Sequence, residues 1–152
     1  MNERGFKVRA LGEIAIRCQD VPKMAAFYHE IIGLTVIPGG YRDTIVFLRI
    51  ADGYAGHTAI LALFSADDRG QFTDDTGTFN PATGAASSLH HFALTIPFAE
   101  QDSVMAWYDK KGITYRVVEF DWVGWRGIFA KDPEGNTVEL VAFDKSMLKE
   151  SL

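Results

Sequence analysis

Apolar positions along this chain fall into two rhythms, and the pair of rhythms occurs twice. Residues 11–18 (LGEIAIRC) alternate, with Ile14 and Ile16 on one face and Glu13, Ala15 and Arg17 on the other, which predicts a strand. Asp20 then serves as an N-cap with Pro22 near the first turn, and apolar residues at 21, 24, 25, 28, 31 and 32 keep helical spacing until Gly33 closes the helix. Residues 34–38, 44–50 and 58–64 follow as three strands, so the first half reads β-α-β-β-β.

Residues 65–88 (SADDRGQFTDDTGTFNPATGAASS) break both rhythms and predict a long loop, of the kind that is functional or mobile inside a small domain. Its acidic pairs, Asp67-Asp68 and Asp74-Asp75, match no calcium-loop spacing and read as solvated charge. The pattern then restarts with a strand over 89–96 (LHHFALTI), a helix over 98–111 ended by Gly112, and a strand over 113–119. Residues 126–143 (RGIFAKDPEGNTVELVAF) follow as two apolar runs around Asp132-Pro133-Glu134-Gly135-Asn136. Proline presets φ, glycine supplies a positive φ, and Asp and Asn bond back to the backbone, so these runs predict a β-hairpin. Glu13-Ile14-Ala15-Ile16 overlays His91-Phe92-Ala93-Leu94, Phe27-Tyr28 overlays Trp107-Tyr108, and Gly33-Leu34-Thr35 overlays Gly112-Ile113-Thr114, always at an offset of about 79 residues. The expected fold is therefore α+β: one domain over 1–152 made of two tandem βαβββ modules, about 8–65 and 88–143, joined by the loop 66–87. Their sheets are expected to form a curved mixed sheet around a shared cavity.

Composition narrows the function classes. The 152 residues are 47% hydrophobic and 23% charged, the balance of an ordinary globular chain long enough to bury a core. A net charge of −5 without a Lys/Arg cluster argues against a nucleic-acid or anionic-membrane partner. The N-terminal residues MNERGFKVRALGE carry no apolar stretch behind their charges, no run approaches the ~20 residues of a membrane span, and Cys18 is the single cysteine. These features point to the cytoplasm, with Cys18 in strand packing.

Glu139 is the chemical anomaly. It sits in TVELVAF among apolar neighbours, and a carboxylate on a buried strand face costs several kcal/mol without a hydrogen bond, cation or metal. The duplication places Glu13 and His91 at equivalent strand starts and sets Glu139 against Ala62 in the first module. Adjacent His90 and His91 are expected on opposite strand faces, and the overlay selects His91 as the inner one. Glu13, His91 and Glu139 on three strands would make a facial ligand set for Fe(II), Mn(II), Zn(II) or Ni(II), with open positions for water and substrate. The plainer readings are an exposed Glu13, a hydrogen-bonded core His91, and a Glu139 ion-paired to Arg126 or Arg17. Trp122 and Trp125 around Gly124 suit the wall of an apolar or aromatic ligand site, or equally a core or dimer contact; Arg126 suits an anionic substrate group or a surface salt bridge.

Three segments, GEIAIRCQDVPKMAAFYHEIIGL, LHHFALTI and GIFAKDPEGNTVELV, taken in order along the whole chain, resemble the vicinal oxygen chelate superfamily of glyoxalases, bleomycin-resistance proteins and extradiol dioxygenases. The resemblance implies the paired-module fold, with Glu13, His91 and Glu139 on the family's metal positions and Glu139 also catalytic. Glu13 stands where His or Gln is more usual. Ala62 stands where glyoxalase I-type members have Glu, which points away from that reaction and toward a three-ligand pattern like that of the dioxygenases. Two functions follow as expectations: a divalent-metal enzyme acting on a small oxygenated molecule, aromatic ones included, by Lewis-acid or dioxygenase chemistry, and a metal-free protein sequestering a planar compound with Trp122, Trp125 and Phe47. A homodimer is expected, with residues 144–152 adding a short surface helix.

Overall fold

The two repeats of the pattern fold as separate units: in the computed structural model, which describes residues 3–42, 44–67 and 77–149, the chain divides into Met1–Phe79 and Asn80–Leu152. The first unit runs β1 (Glu13–Cys18), α1 (Val21–Ala26) with a π-helical turn over Phe27–Ile31, β2 (Thr35–Tyr41), β3 (Ile45–Tyr54) and β4 (His57–Ser65). Asp20 caps α1 as its sequence position predicts, its Oδ1 accepting a hydrogen bond from the Lys23 backbone N–H at 3.0 Å. The sheet order is β1-β4-β3-β2, with β1 parallel to β4 and the other pairs antiparallel. Ile16, Cys18, Val46, Leu48, Leu61 and Leu63 on one sheet face are buried, as are Met24 and Tyr28 of the helical segment. That apolar area is the main stabilising term of the unit.

The second unit repeats the plan with β5 (Phe92–Thr95), α2 (Gln101–Lys111), β6 (Tyr115–Phe120), β7 (Trp125–Lys131) and β8 (Thr137–Phe143) in the order β5-β8-β7-β6, β5 parallel to β8. The architecture is α+β with two tandem βαβββ units, each carrying its own mixed four-stranded sheet. A 3₁₀ turn over Phe98–Glu100 leads into α2, and Gly112 ends it in the left-handed region at φ 69°. Tyr28 and Tyr108, paired by the overlay, are both fully buried.

The β7–β8 connection shows why the sequence DPEGN makes a hairpin. Asp132 is buried, and its Oδ1 accepts from the backbone N–H groups of Glu134 at 2.9 Å and Asn136 at 3.0 Å, while its Oδ2 accepts from Asn136 Nδ2 at 2.9 Å. Gly135 adopts φ 89°. The turn fixes the register, so Phe129 faces Glu139 and Arg126 faces Ala142.

Two local expectations change. The strand expected from residue 89 begins at Phe92, and residues 145–147 at the end of the chain form a single 3₁₀ turn. Of the acidic pairs, Asp68, Asp74 and Asp75 lie outside the described residues.

Candidate functional site

The partner of Glu139 is His91. Glu139 lies in β8 between β5 and β7, and its Oε2 is 3.1 Å from His91 Nε2, with the carboxylate side chain 6% exposed and the imidazole 31%. A buried carboxylate is thus matched to one nitrogen donor, which answers the cost of removing it from water. Neither Arg126 nor Arg17 is needed for that match. Gly127 makes the arrangement possible: a Cβ there would collide with Glu139 Oε1 and stand 2.9 Å from its Cδ, so the carboxylate lies across the bare backbone of β7. Phe129 closes the other side, its ring meeting the His91 ring edge-on at 5.5 Å between centroids.

His90 differs from the expectation. The two adjacent histidines were assigned opposite faces by strand alternation, yet their Nδ1 atoms are 2.7 Å apart. Alternation does not apply because both residues precede the first residue of β5. One of the facing Nδ1 atoms carries the proton. When it is that of His90, His91 Nδ1 accepts the hydrogen bond and His91 Nε2–H is left to donate to Glu139; a metal at Nε2 would require the other tautomer, with His91 Nδ1–H donating to His90.

The other sequence candidates are placed as follows. Glu13 opens β1 in the first unit as an exposed residue, in register with Ile60 and on the face that carries Ala15, Ala62 and Phe47. Ala62 is fully buried and in register with Ala15, just as Glu139 is with Ala93. Trp125 shares the Glu139 face of the second sheet and is 46% exposed, while Trp122, in the β6–β7 turn, is 76% exposed. Arg126 lies on the opposite face from Glu139, because it stands three positions from Phe129 on the same strand. There its Nε donates to Gln101 Oε1 at 2.6 Å and its guanidinium stacks over Phe98 at 4.5 Å. Gln101, fully buried, donates in turn to the carbonyls of Arg126 and Leu140 at 2.7 and 3.3 Å. Arg126 therefore ties β7 to the start of α2, and the substrate-anion role expected for it has no support from this geometry.

The second sheet also carries a cavity of about 570 Å³ whose lining includes Arg116 and Val118 of β6, Phe129 and Lys131 of β7, and Thr137 of β8. Cross-strand register puts these side chains on the Glu139 face, and Phe129 borders both the cavity and the His91 ring. Tyr115 also lines it; burial first, then the hydrogen bond to Asp109 and that carboxylate's charge, push its hydroxyl above the ordinary tyrosine range.

Sequence reasoning reached Glu139 and His91 but missed His90, Gly127, Phe129 and Gln101. The register that follows from DPEGN carried a signal for Phe129 and Gly127, since it sets Phe129 opposite Glu139 and leaves Gly127 two residues away on the same face.

The pair His91–Glu139 fits a divalent metal as two of its ligands. An imidazole nitrogen and a carboxylate oxygen suit Zn(II), Mn(II), Fe(II) or Ni(II), and 3.1 Å is the spacing of two adjacent donors on an ion with bonds of about 2.1 Å. Within either unit, among the described residues, no three His, Cys, Asp or Glu side chains gather around one point. Among the described residues, no helix is long and apolar enough to cross a membrane.

Comparison with known proteins agrees with this architecture. A family model described as the Glyoxalase/Bleomycin resistance protein/Dioxygenase superfamily matches residues 10–140. Among solved structures, lactoylglutathione lyase from Agrobacterium tumefaciens is 20% identical with a TM-score of 0.65, covering 88% of this chain and 92% of its own. The fosfomycin resistance protein FosX from Listeria monocytogenes is 19% identical with a TM-score of 0.61, covering 93% and 98%. An integron cassette protein from the mobile metagenome of the Halifax Harbour sewage outfall is 19% identical with a TM-score of 0.66, covering 90% and 100%. At these identities the likeness is one of fold. No curated protein matches the sequence.

Proposed function

This chain belongs to the Glyoxalase/Bleomycin resistance protein/Dioxygenase superfamily, and from that premise we propose that it is a divalent-metal enzyme acting on a small oxygenated molecule. The observation that carries the proposal is the His91–Glu139 pair: a buried carboxylate held 3.1 Å from an imidazole nitrogen, with a second imidazole behind it. His91 Nε2 and Glu139 Oε2 would hold the metal. A metal bound there would supply Lewis-acid polarisation of substrate oxygens. His90 Nδ1 partners His91 Nδ1 behind the pair, Gly127 gives the carboxylate its seat, and Phe129 packs edge-on against the His91 ring. Glu139 is also the group that would hold a substrate proton on its carboxylate. We further propose a cytoplasmic homodimer, the single cysteine being suited to a reducing compartment.

Calorimetric titration of chelator-treated protein with Mn(II), Zn(II), Ni(II) and anaerobic Fe(II) tests the ligand set. At least one of these metals should bind, and His91→Ala or Glu139→Gln should weaken it by about ten- to a hundredfold. Absence of binding by all four metals would overturn the enzyme reading in this form. Sedimentation showing only monomer at micromolar concentration would contradict the dimer.

A second reading is favoured by Ala62. The first unit carries a methyl group where the second carries Glu139, and an apolar face of that kind suits a metal-free protein that sequesters a planar compound, against Phe47 in the first unit or Trp122 and Trp125 in the second. Undiminished aromatic-ligand binding in chelator, with no metal uptake, is its distinguishing result.

A further inference from the structure

The cavity beside Phe129 has a charge that the protein as a whole does not. The chain carries a net −5, yet Arg116 and Lys131 line this cavity, and no acidic side chain is among the described residues lining it. Lys131 is held in place, its Nζ donating to Thr137 Oγ1 at 2.6 Å. Arg116 lies in register with Phe129, which is in turn in register with Glu139, so the cation, the ring and the carboxylate form one row across the sheet. Val118 and Phe129 supply apolar surface, and about 570 Å³ is the size of pocket that encloses a small organic molecule. Tyr115, its hydroxyl held protonated, adds no negative charge.

We infer that this cavity binds a small aromatic or branched apolar acid, its carboxylate held by Arg116 and Lys131 and its apolar body laid over Val118 and Phe129 toward Glu139. A guanidinium and an ammonium on neighbouring strands can receive the two oxygens of one carboxylate. The body of such a ligand, anchored at the hairpin end of the sheet, extends along the row to the His91–Glu139 pair. The acid anchor thereby names a substrate class for the proposed enzyme and rests on that reading only in linking the cavity to a metal; the binding itself does not require one.

The test is a titration of the full chain with 2-naphthoate and with its uncharged counterpart 2-naphthylmethanol, followed by amide chemical shifts in the presence of chelator. Naphthoate should bind at least tenfold tighter than the alcohol, with the largest shifts at Val118, Phe129 and Lys131. Arg116→Gln and Lys131→Gln should each weaken naphthoate about tenfold and leave the alcohol unchanged. Equal affinity for the two probes would overturn the assignment. So would shifts confined to other strands, or shifts in the cavity that follow protein concentration rather than ligand and so report a second copy of the chain covering it. Metal binding can fail while naphthoate binds, and naphthoate binding can fail while metal binds, so this proposal and the metal reading fall separately.

Discussion

The two units share one plan and differ at one carbon position that matters. In the first, Ala15, Ala62 and Phe47 lie in register across β1, β4 and β3; in the second, Ala93, Glu139 and Phe129 occupy the same places on β5, β8 and β7. Ala62 is fully buried and apolar, while Glu139 is almost as buried and charged or proton-bearing. The difference shows what a carboxylate in this position demands: a donor, which is His91, and a space, which is the missing side chain of Gly127. The first unit has neither requirement and keeps the ordinary solution.

That comparison can be broken most forcefully by equalising the two positions. Ala62→Glu should cost about 4 kcal/mol or more, because a buried carboxylate then lacks a partner within its own unit; chemical denaturation measures it, and a loss below about 1 kcal/mol would show that the first unit already offers a donor. Next in size is Asp132→Ala. It removes the acceptor of three hydrogen bonds in the turn that sets the register of Glu139, for a loss of roughly 2–3 kcal/mol by the same measurement. Gly127→Ala should cost about 1–3 kcal/mol through the crowding of Glu139, and metal affinity, read by titration, should fall with it. An unchanged affinity would mean that the carboxylate does not need its seat on β7.

The smallest effect at neutral pH concerns the matched tyrosines. Among the described residues the hydroxyl of the buried Tyr108 has no hydrogen-bond partner, and burial pushes it from 10.0 up to about 12. An unfolded tyrosine gives up its proton near pH 10 and the folded one near 12, so deprotonation favours unfolding between those values. Stability from this residue is fully present below pH 10 and is lost as pH rises through 12, by roughly 2–3 kcal/mol in all. Tyr108→Phe should flatten this alkaline decline and change stability at pH 7 by within about 1 kcal/mol, in the stabilising direction. A steeper decline in the variant would refute the assignment.

Much of the fold was written in the spacing. Short apolar runs marked every strand, Gly33 and Gly112 marked both helix ends, and the overlay of Glu13 on His91 located the duplicated sheets. The side-chain pairings of the site were less legible because they depend on where a strand begins and on its register. His90 was set apart from His91 by an alternation that starts only at Phe92. Arg126 was read as a ligand contact because its charge is visible in the sequence while its partner, Gln101, lies far along the chain and is buried by tertiary packing. A neutral glutamine gives no sign of such a role, and a glycine that exists to leave room for another residue's carboxylate gives even less.

In both units the first strand pairs in parallel with the last. Parallel neighbours this distant along the chain close late, since the intervening loop entropy must be overcome before the pairing is rewarded. During synthesis β1 can receive β4 while the second unit is still incomplete, whereas β5 must wait for β8. Glu139 resides on that last-arriving strand. A nascent chain stopped at the β7–β8 turn would leave the β5 and β7 edges open, so the His91–Glu139 pair forms only once β8 has been delivered, and a chain stopped before it exposes edges prone to pairing with other chains.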